Sequence, residues 1–262
     1  MGDILDEIVA FKRYEVEKFK QELSQVYLES RVEILNNAVM PSMKSALMES
    51  SSGIIAEVKR KSPSKGWIAR DIIPEKVARS YQDNGAAAVS ILTDSNYFGG
   101  SNAYIRLARQ AKVNIPILYK NFIIDEYQIY QAKVCGASAI LLIAACLTKE
   151  QCRDFIRKAH DMNLEVLLEM HSEEETEYAE LEPDMCGINN RNLGSFVTDV
   201  NNSFNLIERL PAEAIKVSES GISNIETIRQ LRDVGYQGFL IGENFMKEPD
   251  PGLALQQFVS QL

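Results

Sequence analysis

The sequence predicts a single (β/α)8 barrel, that is, an α/β TIM barrel, preceded by an N-terminal helical extension. Three observations carry the prediction. Eight short apolar runs rich in β-branched residues follow Gly53, an amphipathic stretch separates each run from the next, and about 210 residues are available to hold them. The expected division is 1–52 for the extension packed on the barrel and 53–262 for the barrel itself.

The elements follow in order. From residue 4 to about 26, Ile4, Leu5, Ile8, Val9, Val16 and Phe19 recur at helical spacing among Glu and Lys, with no Pro or Gly, and predict one amphipathic helix. A second helical stretch is expected over 31–48, broken at Pro41-Ser42, where Pro suits the first turn of a new helix. Ser51-Ser52-Gly53 ends this prelude. The apolar runs are 54–58, 87–92, 115–119, 138–143, 164–170, 185–188, 215–218 and 238–241. Continuous apolar strands are buried on both faces, and strands that alternate with helices form a parallel sheet. Asn84-Gly85-Ala86, Cys135-Gly136-Ala137 and Val234-Gly235-Tyr236 read as helix C-caps that feed the next strand. The competing architecture is an open doubly wound sheet; its G-x-G-x-x-G fingerprint does not occur in the sequence.

Composition narrows the function classes. The chain has 262 residues, 45% hydrophobic and 25% charged, which are globular values that exclude disordered and collagenous chains. No apolar run approaches the roughly 18 residues of a membrane span. With 28 Lys plus Arg against 37 Asp plus Glu, the net charge is -9, opposite in sign to that of a typical nucleic-acid binder. An anionic ligand therefore has to be held by a few local cations. The four cysteines, Cys135, Cys146, Cys152 and Cys186, show no metal-ligand spacing, and the expected setting is reducing and cytoplasmic. The first residues, Met1 to Ile8, carry early acids and read as neither a secretory leader nor, with Asp6, a myristoylation site.

In such a barrel, polar residues at the C-terminal ends of strands face the active site. Those ends hold Glu57 and Lys59, Thr93 and Asp94, Lys120, Glu169 and His171, Asn189, Asn190 and Arg191, Glu219 and Ser220, and Gly242 and Glu243; the fourth strand, ending Ile143-Ala144-Ala145, offers nothing polar. Glu57 and Lys59 lie two apart and point to the same side. Three glutamates and two lysines in one mouth are acid–base equipment. Lys120, offset by carboxylates, stays protonated and can donate a proton, and Glu169 is the matching base, with its pKa expected to be raised by neighbouring carboxylates and burial. The glycine turns Glu219-Ser220-Gly221 and Ile241-Gly242-Glu243 end the seventh and eighth strands, where barrels commonly hold a phosphate, and Ser62, Lys61 and Lys65 are expected to bring hydroxyl and cations to the same mouth. His160 and His171 lack the spacing of a zinc site, so no metal is expected.

The segments Ile55-Ala56-Glu57-Val58-Lys59-Arg60-Lys61-Ser62-Pro63-Ser64-Lys65-Gly66, Tyr97-Phe98-Gly99-Gly100-Ser101, Leu118-Tyr119-Lys120-Asn121-Phe122-Ile123, Leu168-Glu169-Met170-His171, Ile188-Asn189-Asn190-Arg191-Asn192-Leu193, Ser218-Glu219-Ser220-Gly221-Ile222 and Leu240-Ile241-Gly242-Glu243 occur in one order along nearly the whole chain. Together they resemble the indole-3-glycerol-phosphate synthase family. The resemblance implies a carboxy-lyase of tryptophan biosynthesis that closes the indole ring of 1-(2-carboxyphenylamino)-1-deoxyribulose 5-phosphate, releasing carbon dioxide and water, with no cofactor. It implies Lys120 as general acid on the ketone oxygen and Glu169 as acid/base for dehydration. Lys59 is then a substrate-positioning cation, Glu57 and Glu219 are orienting carboxylates, and Asn189 is a hydrogen-bond partner in ring closure. Arg191 meets the substrate carboxylate. Ser62, Ser220, Gly221, Gly242 and the backbone at Glu243 belong to the phosphate end, and Phe98 and Phe122 wall the aromatic ring.

The expected partner is the small-molecule sugar phosphate, with no nucleic acid and no membrane; a monomer is expected, and other tryptophan-pathway enzymes are the candidate associates. Two positions depart from the family pattern. Asn121 and Asn192 stand where the family usually has Asp, which removes a charge at each. Two rivals stay open: a Schiff-base aldolase with Lys120 or Lys59 as nucleophile, and a ligand-binding barrel that lost catalysis through its Asn substitutions.

Overall fold

The apolar runs pair as the alternation of strands and helices demands. In a computed structural model of the chain, which describes residues 4–35, 39–192, 194 and 197–262, they form β1 (Ile54–Val58), β2 (Ala88–Leu92), β3 (Ile117–Lys120), β4 (Ala139–Ile143), β5 (Glu165–Met170), β6 (Met185–Asn189), β7 (Ile215–Glu219) and β8 (Gly238–Ile241). Each pairs in parallel with the next, and β1 closes the ring on β8 through Ile54↔Phe239 and Ile55↔Leu240. The open-sheet alternative is thereby excluded. Met1 to Asp3 and the motif position Leu193 lie outside the described residues.

Because strand side chains alternate, one parity of each strand fills the barrel and the other packs under the helices. Ile55, Leu118, Leu141, Leu167, Val217 and Leu240 belong to the inner cluster, whereas Ile54, Ala56, Val89, Ile140, Val166 and Phe239 belong to the outer one. Glu57, Lys120, Glu169, Asn189 and Glu219 share the inner parity of their strands, one pleat above Ile55, Leu118, Leu167, Gly187 and Val217 in turn. The same alternation that builds the core thus delivers the polar residues to one end of it.

The helical extension touches the barrel at both ends. Helix α1 (Ile4–Glu22) places Leu5 and Ile8 in the inner cluster, and its buried Lys12 Nζ lies 2.6 Å from Asp94 Oδ2 after β2. At the other end α3 (Met43–Glu49) inserts Met43 and Leu47 into the same cluster. Glu165, at the start of β5, accepts hydrogen bonds from Ser42 Oγ (2.5 Å), Met43 N (2.6 Å) and Lys44 N (3.0 Å), supplying acceptors for the free N–H groups of that helix start.

Two helix boundaries differ from expectation. The first helix ends at Glu22, and α2 (Gln25–Leu35) begins well before residue 31. Ser24 is the reason: its Oγ and its carbonyl both accept from Tyr27 N, and this local cap competes with continued helix. Pro41 lies just outside α3, with Ser42 as the N-cap. The three expected glycine caps take left-handed φ values of 94°, 93° and 112°. The connector after β5 is a 3-10 segment, Glu174–Leu181, where a full helix was expected. Among the described residues no helix is long and apolar enough to cross a membrane.

Candidate active site

The site is built from strand ends that share a parity. Lys120, the last residue of β3, extends its Nζ to 2.8 Å from Glu219 Oε2 and 3.3 Å from Glu169 Oε2. Glu169 Oε1 accepts from Asn189 Nδ2 at 3.1 Å and lies 3.1 Å from His171 Nε2. Across the ring, Lys59 Nζ meets Glu57 Oε1 at 2.5 Å. Glu57, Glu169 and Glu219 are 3%, 3% and 1% exposed, and burial on that scale is tenable for a carboxylate only with an opposite charge in contact, which each of them has.

Two glycines, one in β6 and one just after β8, make the packing sterically feasible. A β-carbon on Gly187 would collide with Glu219 Oε1, and one on Gly242 would collide with Glu57 Oε1 and approach Glu57 Cβ at 3.0 Å. The sequence reading assigned Gly242 to backbone approach by a ligand. The structure shows a further need for a glycine there, since Glu57 folds across it.

Burial penalises every charge in the cluster, so neighbours decide each sign. Burial would raise Glu57, but Lys59, Lys120 and Arg191 outweigh it and hold the carboxyl below its ordinary range. Glu169 is equally buried, yet Lys120, His171 and Asn189 hold it far below that range. For Glu219 burial prevails, reinforced by the charge of Glu169 and opposed by Lys120, and the carboxyl is pushed up to about 7. Lys120 loses from burial and gains more from Glu219, Glu169 and Glu57, which keep it an ammonium. The raised carboxyl expected at Glu169 is therefore at Glu219. Glu169 has three stabilising partners, whereas Glu219 has Lys120, and its Oε1 lacks a hydrogen-bond partner among the described residues.

Above the cluster opens a cavity of about 580 Å³. One side is apolar: Ile4, Leu5 and Ile8 of α1, Leu92, Phe98, Phe122, Leu141 and Ile143. Phe98 and Phe122 stand with ring centroids 5.9 Å apart at 36°. The other side is polar, with Ser62, Lys65, Ser220, Gly221, Glu243 and Asn244. Lys65 pairs with Glu243 there, and Arg191 Nη2 lies 3.7 Å from the same carboxylate.

Of the residues expected in the site, Glu57, Lys59, Ser62, Phe98, Lys120, Phe122, Glu169, Asn189, Arg191, Ser220, Gly221, Gly242 and Glu243 line this cavity. Glu219 does not; it lies beneath the lining, against Lys120. Four polar strand-end residues are used elsewhere. Asp94 ties down Lys12 and accepts from Tyr97 N and Phe98 N, and Thr93 accepts from Asn121 Nδ2. Asn190 is bound to Ser203 and Ser218, and His171 stands between Glu169 and Glu175. Lys61 turns outward, donating to Asn96 O beside the Trp67 ring, and so leaves the mouth.

Beyond Phe98 and Phe122, sequence reasoning missed the apolar half. Strand β4 supplies no polar group but contributes Leu141 and Ile143, whose inner parity was the available signal. The contribution of Ile4, Leu5 and Ile8 had no local signal, because it depends on how α1 docks. Of the two departures, Asn121 Nδ2 donates to Thr93 Oγ1 at 2.8 Å and its Oδ1 accepts from Phe122 N at 2.9 Å, so it braces the wall of the site. Asn192 Oδ1 accepts from Gly194 N in the loop after β6.

A closed parallel barrel with a buried ammonium clamped between carboxylates at the floor of its mouth defines a (β/α)8-barrel enzyme of the acid–base type. Residues 5–258 match the family model for indole-3-glycerol phosphate synthase. The chain belongs to the indole-3-glycerol phosphate synthase family. It is 55% identical to the indole-3-glycerol phosphate synthase of Bacteroides thetaiotaomicron over 100% of both chains, and 42% identical to that of Polynucleobacter asymbioticus over 98% of this chain and 99% of the other. Among solved structures it resembles 3-hexulose-6-phosphate synthase from Salmonella typhimurium, with TM-score 0.62, 12% identity and coverage of 80% of this chain and 99% of that one. Thiamine phosphate pyrophosphorylase from Pyrococcus furiosus gives TM-score 0.61, 15% identity and coverage of 82% and 98%. At such identities the likeness is one of fold.

Proposed function

We propose that the chain closes the indole ring of 1-(2-carboxyphenylamino)-1-deoxyribulose 5-phosphate with loss of carbon dioxide and water, and that the cluster around Lys120 performs the chemistry. The chain is a carboxy-lyase of tryptophan biosynthesis, as its full-length likeness to the Bacteroides enzyme supports. The observation that carries the residue assignment is the Lys120 ammonium, which lines a cavity holding both apolar and polar groups and contacts Glu219 and Glu169. A substrate with an aromatic ring at one end and a phosphate at the other spans that gap with its ketone over Nζ.

In this reading Phe98 and Phe122 bracket the ring, Arg191 meets the carboxylate, and Ser62, Ser220, Gly221, Gly242 and the backbone at Glu243 hold the phosphate. Holding both anionic groups brings ring carbon and carbonyl together, which supplies much of the rate as positioning. Lys120 protonates the ketone oxygen as the carbon–carbon bond forms. Its contacts with two carboxylates favour this acid role over a Schiff base, which needs a neutral amine. Carbon dioxide leaves the former ring carboxylate. Glu169, held ionised, takes the proton released during dehydration, and Lys120 assists departure of the hydroxyl as water. Glu219, with a carboxyl near 7, is placed to resupply Lys120. Glu57 orients Lys59, and Asn189 steadies Glu169 during ring closure.

The test is incubation with the carboxyphenylamino-deoxyribulose phosphate while following indole fluorescence, with Lys120→Ala and Glu169→Gln as controls. Turnover by the wild type that is lost in Lys120→Ala supports the reading. Equal turnover by that variant removes Lys120 from the mechanism, and a borohydride-trapped adduct in the wild type would favour the aldolase.

A further inference from the structure

The histidine behind the cavity is unexplained by the groups so far assigned to the reaction. His171 follows β5, two residues beyond Glu169 and on the same side of the strand, and it is 10% exposed and absent from the cavity lining. Its Nε2 lies 3.1 Å from Glu169 Oε1, and its Nδ1 lies 3.3 Å from Glu175 Oε2. The same Glu175 oxygen accepts from the His171 backbone N at 2.7 Å. From a third direction, Asn202 Nδ2 donates to both His171 O and Asn189 O at 3.1 Å, tying the ends of β5 and β6 together. A flexible loop residue would not be held at its N–H, its carbonyl and its ring by two separate elements.

We infer that His171 is a positioning residue for Glu169, with Glu175 holding the imidazole in place so that its charge lies against Glu169 Oε1. The inference rests on the reading above in one respect only, that Glu169 is the base of the reaction. The Nε2–Oε1 approach is short but off-line for a hydrogen bond, so the coupling is one of charge more than of a directed bond.

The groups facing His171 agree with that role. Glu169 approaches from its own strand, Glu175 from the 3-10 segment Glu174–Leu181, and Cys146 lies nearby in the turn after β4, with a thiol that burial pushes up to about 12 and so keeps neutral. Burial alone would lower the imidazole; the two carboxylates outweigh it and set it at about 10, so His171 is cationic through neutral pH. The consequence is an asymmetry. Two glutamates share Lys120, and the one with a second cation, Glu169, stays ionised while Glu219 keeps the proton. Without His171 the two carboxyls compete for that proton on closer terms.

The chain contains two histidines, so the imidazole resonances are separable by NMR. His160, partly exposed beside Asp184 at 2.8 Å, is the internal control. In the wild type His171 is expected to stay protonated from pH 6 to about 9, and in Glu175→Gln its titration is expected to fall by about one unit or more while His160 is unmoved. In steady-state assays, Glu175→Gln and His171→Gln are expected to lower kcat by about 10- to 100-fold with KM changed by less than about threefold, as for a misplaced reacting group. The acid limb of the kcat profile is expected to move to higher pH, because Glu169 loses a stabilising cation. A wild-type His171 that titrates near 6.5, a Glu175→Gln variant that leaves its titration unmoved, or a kcat profile unchanged in both variants would overturn the assignment. A wild type with the expected titration but no turnover would instead overturn the reaction, and leave the charge coupling of Glu175, His171 and Glu169 standing.

Discussion

Gly187 leaves open the space that the Glu219 carboxylate occupies: residue 187 sits on the inner face of β6, and any β-carbon there would collide with Glu219 Oε1. Glu219 in turn is the nearest acid to Lys120. Gly187→Ala is expected to displace Glu219 and lower kcat by at least about tenfold, since a shift near 1 Å in a reacting constellation can cost about 100-fold. Steady-state kinetics beside a circular-dichroism melt decides it: a folded variant with unchanged kcat would show that Glu219 need not lie where it does.

Loss of Lys120 is expected to be far more costly. Lys120→Met removes the proposed general acid and leaves two buried carboxyls without their shared cation, so kcat should fall by about 10²- to 10⁴-fold. The variant should also take up protons near neutrality, because Glu169 and Glu219 both rise when Lys120 no longer stabilises their charged forms. Potentiometric titration against the wild type measures that uptake.

The pH dependence of stability should carry two opposite signatures. Glu219, raised from 4.5 to about 7, binds its proton more tightly in the folded state; its contribution is complete below 4.5 and is lost as pH rises through 7. Glu169 is lowered, so its contribution is present above 4.5 and is lost only in strong acid. Melting temperatures of the wild type and Glu219→Gln between pH 5 and 8 are expected to converge toward the acid end and to separate toward pH 8, with the variant the more stable there. Curves that stay parallel would contradict a proton on Glu219.

Asn121 follows Lys120 in sequence but points to Thr93 and Phe122. Asn121→Asp exchanges one donor for an acceptor about one hydrogen bond in value, roughly 1 kcal/mol, and is expected to change kcat by less than about tenfold. A larger gain in kcat would mean that the charge missing at 121 matters to the reaction, and would revive the reading of a weakened enzyme.

The eight runs were legible because each combines β-branched apolar residues with a following turn, and their limits agree with the strands to within about two residues. Glu57, Lys120, Glu169 and Asn189 were legible for a related reason: each is a polar residue of inner parity at the C-terminal end of an apolar strand, the end of a parallel barrel that opens on the mouth. The break at Ser24 was missed because the helical periodicity continues on both sides of it. Lys61 was misplaced because the four cations of that loop, Lys59, Arg60, Lys61 and Lys65, look alike in sequence, and only the loop's path turns Lys61 away from the mouth.

By itself, then, the sequence determined the barrel, its family and most of the polar groups that line the cavity, since periodicity and strand-end chemistry are local properties of the chain. Tertiary structure alone decided that α1 walls the cavity, that Glu219 lies beneath the lining, and that the surroundings raise the Glu219 carboxyl while they lower that of Glu169. Those outcomes depend on distances among side chains separated by tens of residues. A carboxylate's charge state in a buried site is set by its neighbours in space, which no spacing along the chain records.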